Sequence, residues 1–211
     1  MSKKVNHQEI ILKIISIGNS GVGKTSIIKR FVYKTYEPDK SSTVGLNFAF
    51  KDIILKNGIK VKLKIIDTAG EEKFRSLSKS FFKNAEGVFF VFGMDDLNSF
   101  RDINEWIKIF NDNNSDSNIP KFLLGNKSDL NEKIITDELI EEFLKNNEEF
   151  IYKKVSAAIN ENIDEAFQEI AEKMFQNYKQ GEQNLIKLEE EDENKNIQKR
   201  KKCICLLDHL Y

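Results

Sequence analysis

The chain has 211 residues, of which 40% are hydrophobic and 32% charged, with a formal net charge of −1. That is enough for one domain's core, or a domain and a tail, and it offers no charge excess for nucleic acid. Both cysteines, Cys203 and Cys205, lie near the C-terminal end and cannot staple the body, which suits a reducing cytosol.

Glu9 and Lys13 interrupt the first apolar stretch, which argues against a signal peptide, and the longest wholly apolar run, at 88–92, is far too short to span a bilayer. Residues 10–17 read as a first strand, apolar on both faces and therefore central in a covered sheet. Residues 23–33 follow as a helix. Residues 34–43 are polar, carry Pro38 and lack a period, which predicts a loop. Two strand-like runs, 47–56 and 60–67, flank Asn57-Gly58, a hairpin signal, so these strands are expected to be antiparallel. In the second run Val61, Leu63 and Ile65 alternate with Lys60, Lys62 and Lys64, predicting one wet face, as at a sheet edge.

A second polar loop covers 68–75, and a buried strand covers 88–94. A helix is predicted at 99–111, with Phe100, Ile103, Ile107 and Phe110 on one stripe. Trp106 neighbours that stripe and reads as core or half-core rather than as a ligand-stacking residue. A strand at 121–126, helices at 136–146 and 162–179, and a strand at 150–155 complete the body. The alternation predicts an α/β fold: a six-stranded, mostly parallel sheet with one antiparallel hairpin and helices on both faces. The domain is expected to run over 1–179. Residues 180–211 carry an acidic run at 189–193 and the basic run KRKK at 199–202, and read as a solvated tail.

The stretch GNSGVGKTS, from Gly18 to Ser26, has the pattern G-x-x-x-x-G-K-T between a strand and a helix, the context of a phosphate-binding loop. Gly21 and Gly23 let the backbone fold tightly enough for several N–H groups to converge on a polyphosphate. The helix N-terminus adds partial positive charge. Lys24 is placed to reach the β- and γ-phosphates, and the Thr25 hydroxyl to ligate Mg²⁺. Asp67-Thr68-Ala69-Gly70 sits at a strand end, where Asp67 can hold Mg²⁺ and the Gly70 N–H can approach a γ-phosphate. Asn126-Lys127-Ser128-Asp129 follows another strand. The Asp129 carboxylate can accept two hydrogen bonds from adjacent N–H donors, as guanine offers and adenine does not, while the Lys127 stem lies over a ring. Ser156-Ala157-Ala158 follows the next strand and offers backbone N–H groups to a base oxygen. Thr43, in the first polar loop, is a Mg²⁺ ligand only while a γ-phosphate holds that loop closed.

The ordered set GNSGVGKTS, STVGLNF, DTAGEEKFRSL, GNKSDL and VSAA, spread over residues 18 to 158, resembles the Ras-like small GTPases and, within them, the Rab family. Ser20 in the phosphate loop and the segments 44–48, 73–77 and 81–85 strengthen the Rab resemblance. It implies a P-loop NTPase fold and a GTP/GDP switch with Mg²⁺. It also implies action in vesicle and membrane trafficking at the cytosolic face of an intracellular membrane, with an exchange factor, a GAP and effectors as partners and no nucleic acid. By the same resemblance Ser20, Gly21, Val22, Gly23, Lys24, Thr25, Ser26, Tyr36, Thr43, Gly70, Asn126, Lys127, Asp129, Ser156, Ala157 and Ala158 contact the nucleotide. Thr25, Thr43 and Asp67 hold the metal, and Lys24, Gly70 and Glu71 serve hydrolysis. Cys203 and Cys205, beside KRKK, are the implied lipidation sites.

Four positions depart from the family pattern. Glu71 replaces the Gln that orients the attacking water, which implies slow hydrolysis without a GAP. Ile66 replaces a Trp in an aromatic effector patch with Phe48 and Phe81. Ala158 replaces a Lys. Six residues, LLDHLY, follow Cys205, and no C-a-a-X box is present. Two other readings stand beside the hydrolysing switch: a GTP-locked, hydrolysis-poor scaffold that binds effectors, and a P-loop kinase or ATPase, against which Asn126 to Asp129 argues.

Overall fold

The computed structural model describes residues 9–37, 47–68, 82–114, 116 and 118–183. Contacts divide the chain into two compact units, Met1–Met174 and Phe175–Tyr211. The first unit is built on six strands: β1 (Ile11–Ile17), β2 (Asn47–Ile54), β3 (Lys60–Asp67), β4 (Gly87–Gly93), β5 (Lys121–Asn126) and β6 (Phe150–Lys154). They lie in the order β2-β3-β1-β4-β5-β6. The β2–β3 pair is antiparallel and every other pair is parallel. Four helices are interleaved: α1 (Lys24–Tyr33), α2 (Leu97–Arg101), α3 (Ile103–Asn111) and α4 (Asp137–Lys145). Residues 163–174 are helical as well, and in the second unit residues 175–183 are helical, with the Phe175 and Tyr178 rings stacked at 6.3 Å.

The two faces of the sheet take alternate residues of each strand, because side chains in a strand point to opposite sides in turn. On one face Ile15, Ile17, Phe90 and Phe92 pack with Phe100, Ile103, Trp106 and Phe110 of α2 and α3 and with Phe143 of α4. On the other, Phe89 meets Phe122 edge-on and Phe167 at 4.9 Å, and Phe167 stacks on Phe31 of α1 at 3.8 Å. All seven residues of β4 and all six of β5 are buried, which is the mark of strands covered on both sides. Each of these phenylalanines contributes about 1.5–3 kcal/mol through removal from water.

Three expectations change. β3 is interior, between β2 and β1; its lysines mark a sheet face left open among the described residues, not an edge. The predicted helix at 99–111 is two helices meeting at Asp102, the first capped by the Asp96 carboxylate, which accepts from the N–H groups of Asn98 and Ser99. Ile107, expected on the buried stripe, is only partly buried, while Trp106, 3% exposed, is core as expected and packs with Ile103 and Phe110. The hairpin stands as expected: Gly58 has a φ of 82°, and the Ile59 N–H donates to Asn57 Oδ1 at 3.0 Å. Among the described residues no helix is long and apolar enough to cross a membrane.

Candidate functional site

Parallel strands end on one side, so the loops after β1, β3, β4, β5 and β6 share one edge of the sheet. The order reverses about β1, which pairs with β3 on one side and β4 on the other. A crevice outside the carboxyl ends of the strands at such a reversal is where open α/β sheets place ligands.

The loop from Gly18 to Gly23 occupies that place. Gly23 has a φ of 94° and forms the N-cap of α1 with no side-chain hydrogen bond, so the positive end of α1 opens at the loop, where an anion is favoured. A Cβ on Gly23 would stand 2.3 Å from Asn126 Nδ2, so this position needs both the backbone freedom and the space of glycine. Lys24 folds back over the loop, its ammonium donating to the carbonyls of Gly18 at 2.9 Å and Asn19 at 2.7 Å. Burial pushes its pKa down to about 8, against the upward pull of the Asp67 carboxylate. A cation so desolvated gains from an incoming anion, and the two carbonyls are the partners it gives up.

Thr25 donates its hydroxyl to Asp67 Oδ2 at 2.6 Å. Asp67 is 3% exposed, and its Oδ1 is buried without a hydrogen-bond partner among the described residues. Burial raises the Asp67 pKa, opposed by the Thr25 hydrogen bond and by Lys24 and Lys29. A buried carboxylate oxygen lacking a donor, next to a hydroxyl at the mouth of a phosphate loop, suits a hard divalent cation such as Mg²⁺. Thr68 is held by donating to the Ser16 carbonyl at 2.7 Å, which fixes the exit of β3.

Asn126, at the end of β5 and 2% exposed, joins three loops. Its Nδ2 donates to the Val22 carbonyl of the phosphate loop at 2.8 Å, and its Oδ1 accepts from the Ala157 N–H at 3.2 Å. Lys127 adopts φ 68°, and its ammonium sits 3.0 Å from Asp95 Oδ2 in the loop after β4. Gly93 makes room there: a Cβ would lie 2.5 Å from Asp95 Oδ1. Asp129 is exposed, with Oδ1 accepting from the Ser156 hydroxyl at 2.5 Å, and Ser128 donates to Glu161. Of the three amides at 156–158, Ser156 donates to the Glu161 carbonyl and Ala157 to Asn126; Ala158 has no partner among the described residues.

Ser20 and Gly21 are exposed at the loop's rim, Val22 is buried beneath it, and Ser26 is half-buried in the first turn of α1. Tyr36 is exposed, with the Arg30 guanidinium 5.5 Å from its ring centre. Arg30 also donates to the carbonyls of Ala157 at 2.8 Å and Ala158 at 2.9 Å. Thr43, Gly70, Glu71, Cys203 and Cys205, together with the segments 38–46 and 69–81, lie outside the described residues.

Sequence reasoning passed over Asn19, Arg30, Asp95, Asp102 and Glu161, and read Trp106 only as core or half-core. The Asn19 side chain donates through Nδ2 to Asp102 Oδ2 at 2.7 Å and accepts from the Trp106 indole N–H at 2.8 Å. Arg30 and Glu161 are ordinary charged residues of a helix and a turn until the 156–158 loop is folded against them. The one available signal was Asn19 itself, a non-glycine amide at a variable position of a glycine-rich loop.

The family model described as Ras family matches residues 13–176. The chain is similar to Ras-related protein Rab-18 of Lymnaea stagnalis, 37% identical over 175 residues, covering 82% of this chain and 85% of that protein. It is similar to GTP-binding protein YPT1 of Saccharomyces cerevisiae, 34% identical over 188 residues and 89% of each chain. It is also similar to Ras-related protein Rab-10 of Caenorhabditis elegans, 34% identical over 164 residues, 78% of this chain and 81% of the other.

Proposed function

The chain belongs to the Ras family of small GTPases, and within it to the Rabs, and from that premise we propose that it is a GTP/GDP switch in intracellular membrane traffic that hydrolyses GTP. The observation that carries the reading is the junction at Asn126. One buried amide ties the phosphate loop, through Val22, to the loop at 156–158, and stands immediately before Lys127, whose φ of 68° turns the chain out toward Asp129. A polyphosphate in the first loop therefore leaves its base beside the exposed Asp129 carboxylate.

Binding exchanges contacts already in place. Lys24 leaves the Gly18 and Asn19 carbonyls for the β- and γ-phosphate oxygens, a cation–anion contact that replaces two cation–dipole contacts. Thr25 and Asp67, with Thr43, would hold Mg²⁺, which supplies charge neutralisation across the phosphates. Asp129 exchanges the Ser156 hydroxyl for the adjacent N–H donors of guanine, and the Ala158 N–H meets the base oxygen. By the family resemblance the Gly70 N–H would approach the γ-phosphate, and Glu71 stands in the sequence where the family has the Gln that orients the attacking water. Exchange factor, GAP and effector proteins are the partners of such a switch, and the cytosolic face of an internal membrane is its place.

A site that pairs buried or convergent polar groups with one base rejects a mismatched base by roughly 10⁴-fold or more. In competition against labelled GDP, GTP is expected to displace the label and ATP to fail at thousandfold higher concentration. Asp129→Asn is expected to weaken guanine nucleotides and bring in xanthine nucleotides. Equal competition by ATP and GTP would refute the guanine reading.

A further inference from the structure

We infer that Asp102 and Trp106 are positioning residues for the phosphate loop: by holding the Asn19 side chain from outside the site, they set how long a nucleotide is retained. The inference rests on the proposed nucleotide site and adds to it a determinant of nucleotide release.

The loop has little of its own to hold it in shape. Gly18, Gly21 and Gly23 have φ values of 145°, 75° and 94°, and glycine has more backbone freedom to lose on ordering than any other residue. Its polar side chains at the site are committed to partners that a nucleotide would displace: Lys24 to two loop carbonyls and Thr25 to Asp67. Asn19 is the exception. Its amide points to the α2–α3 junction, where Asp102 Oδ2 accepts from Nδ2 and the buried Trp106 indole N–H donates to Oδ1. These side-chain atoms bond to the α2–α3 junction and not to Lys24, so the tie is free to survive binding while the Asn19 backbone carbonyl releases Lys24. A loop ordered in advance pays less on binding, and the difference appears chiefly in the dissociation rate.

The Asp102 carboxylate makes no side-chain cap to α3, so its removal breaks no capping hydrogen bond at the helix start. Both tie partners of Asn19 come from one short stretch packed under β4 and β1, whose Trp106 is 3% exposed, so the anchor itself is rigid. Trp106 is the sole tryptophan of the chain, so the chain's tryptophan emission comes from this residue alone.

The test uses the full chain loaded with fluorescently labelled GDP and Mg²⁺, with release followed after excess unlabelled GDP. Asp102→Ala and Asn19→Ala are each expected to speed release by ~10-fold, equivalent to about 1.4 kcal/mol. Asp102→Asn, which keeps an acceptor oxygen, is expected to stay near the wild-type rate. The double variant Asn19→Ala/Asp102→Ala is expected to be no faster than Asn19→Ala, because the two act through one contact. Asn19→Ala is expected to shift Trp106 emission in the loaded protein. Melting at saturating GDP controls for the fold, and Asn19→Ala answers the question should Asp102→Ala not fold. Wild-type release rates in both single variants, or effects that simply add in the double variant, overturn the inference while the guanine site stands. A wild-type chain that retains no guanine nucleotide overturns the site reading and this inference with it.

Discussion

At the scale of single residues, we propose that the rate of hydrolysis turns on Glu71. A Gln has both an N–H donor and a C=O acceptor, so it can hold a water and donate toward the phosphoryl oxygens. An ionised Glu has acceptors only and brings a negative charge toward a γ-phosphate that is already anionic. On this proposal repulsion between the two negative charges costs the site its positioned water. Lys24 and the phosphate loop would still stabilise the transition state, so turnover is expected to be slowed rather than abolished. Acting as a stronger base does not rescue Glu71, because phosphoryl transfer depends mainly on positioning and charge neutralisation. Single-turnover hydrolysis without a GAP is expected to be ~10-fold faster for Glu71→Gln than for the wild type, a barrier change of about 1.4 kcal/mol. An equal or slower variant would clear Glu71 of this handicap. Undetectable hydrolysis by the wild type, with recovery in the variant, would favour the GTP-locked scaffold.

At the scale of elements, the start of β4 is fastened to β1 through a group that resists ionisation. Glu86 accepts the Lys13 N–H on Oε2 at 2.7 Å and donates its own N–H to the Lys13 carbonyl at 2.9 Å. The Lys13 ammonium goes instead to the Lys83 carbonyl at 2.7 Å. Burial raises the Glu86 pKa above its usual 4.5, and the Lys13 hydrogen bond and charge only partly oppose it. With the folded pKa above the unfolded one, the native state binds more protons between the two values, so this group's contribution falls as pH rises through that window. Glu86→Gln keeps a carbonyl to accept the Lys13 N–H but cannot ionise. In urea unfolding with GDP saturating, its stability relative to wild type is expected to rise between pH 4.5 and pH 7 and to level off above the folded pKa. A difference constant across that range would show that Glu86 pays no ionisation cost. The same scale explains the helix boundary missed at Asp102: the apolar stripe continues across 99–111, and a period does not register a local break between two helices that share it.

At the scale of the whole molecule, the function proposed requires a membrane, and no described helix spans one. Cys203 and Cys205 follow KRKK. Two lipid chains, each adding ~0.8 kcal/mol per buried CH₂, together with a basic patch on an anionic leaflet, meet the two-signal requirement for stable anchoring. Both cysteines are proposed to carry geranylgeranyl groups, despite the six residues beyond Cys205. Intact-mass measurement of the protein from its native cell is expected to show two prenyl additions. Unmodified thiols would leave the basic run as the only membrane contact and end the anchor proposal.

Much of this protein is local in sequence and was legible there. The G-x-x-x-x-G-K-T loop, Asp67, and Asn126 to Asp129 each sit directly after an apolar run, so one period identifies the strand and the next few residues identify the chemistry. Asn57-Gly58 determined the antiparallel pair for the same reason. Tertiary structure alone decided what joins those loops. Asn19 meets Asp102 across 83 residues and Trp106 across 87, and Arg30 reaches Ala157 across 127. Single amides, carboxylates and guanidiniums carry no period, and their partners are chosen by which loops the strand order brings to one edge of the sheet. The interior place of β3 was hidden likewise: alternation reports how wet a face is, whereas a strand's neighbours are set by backbone hydrogen bonds that every residue type makes equally well.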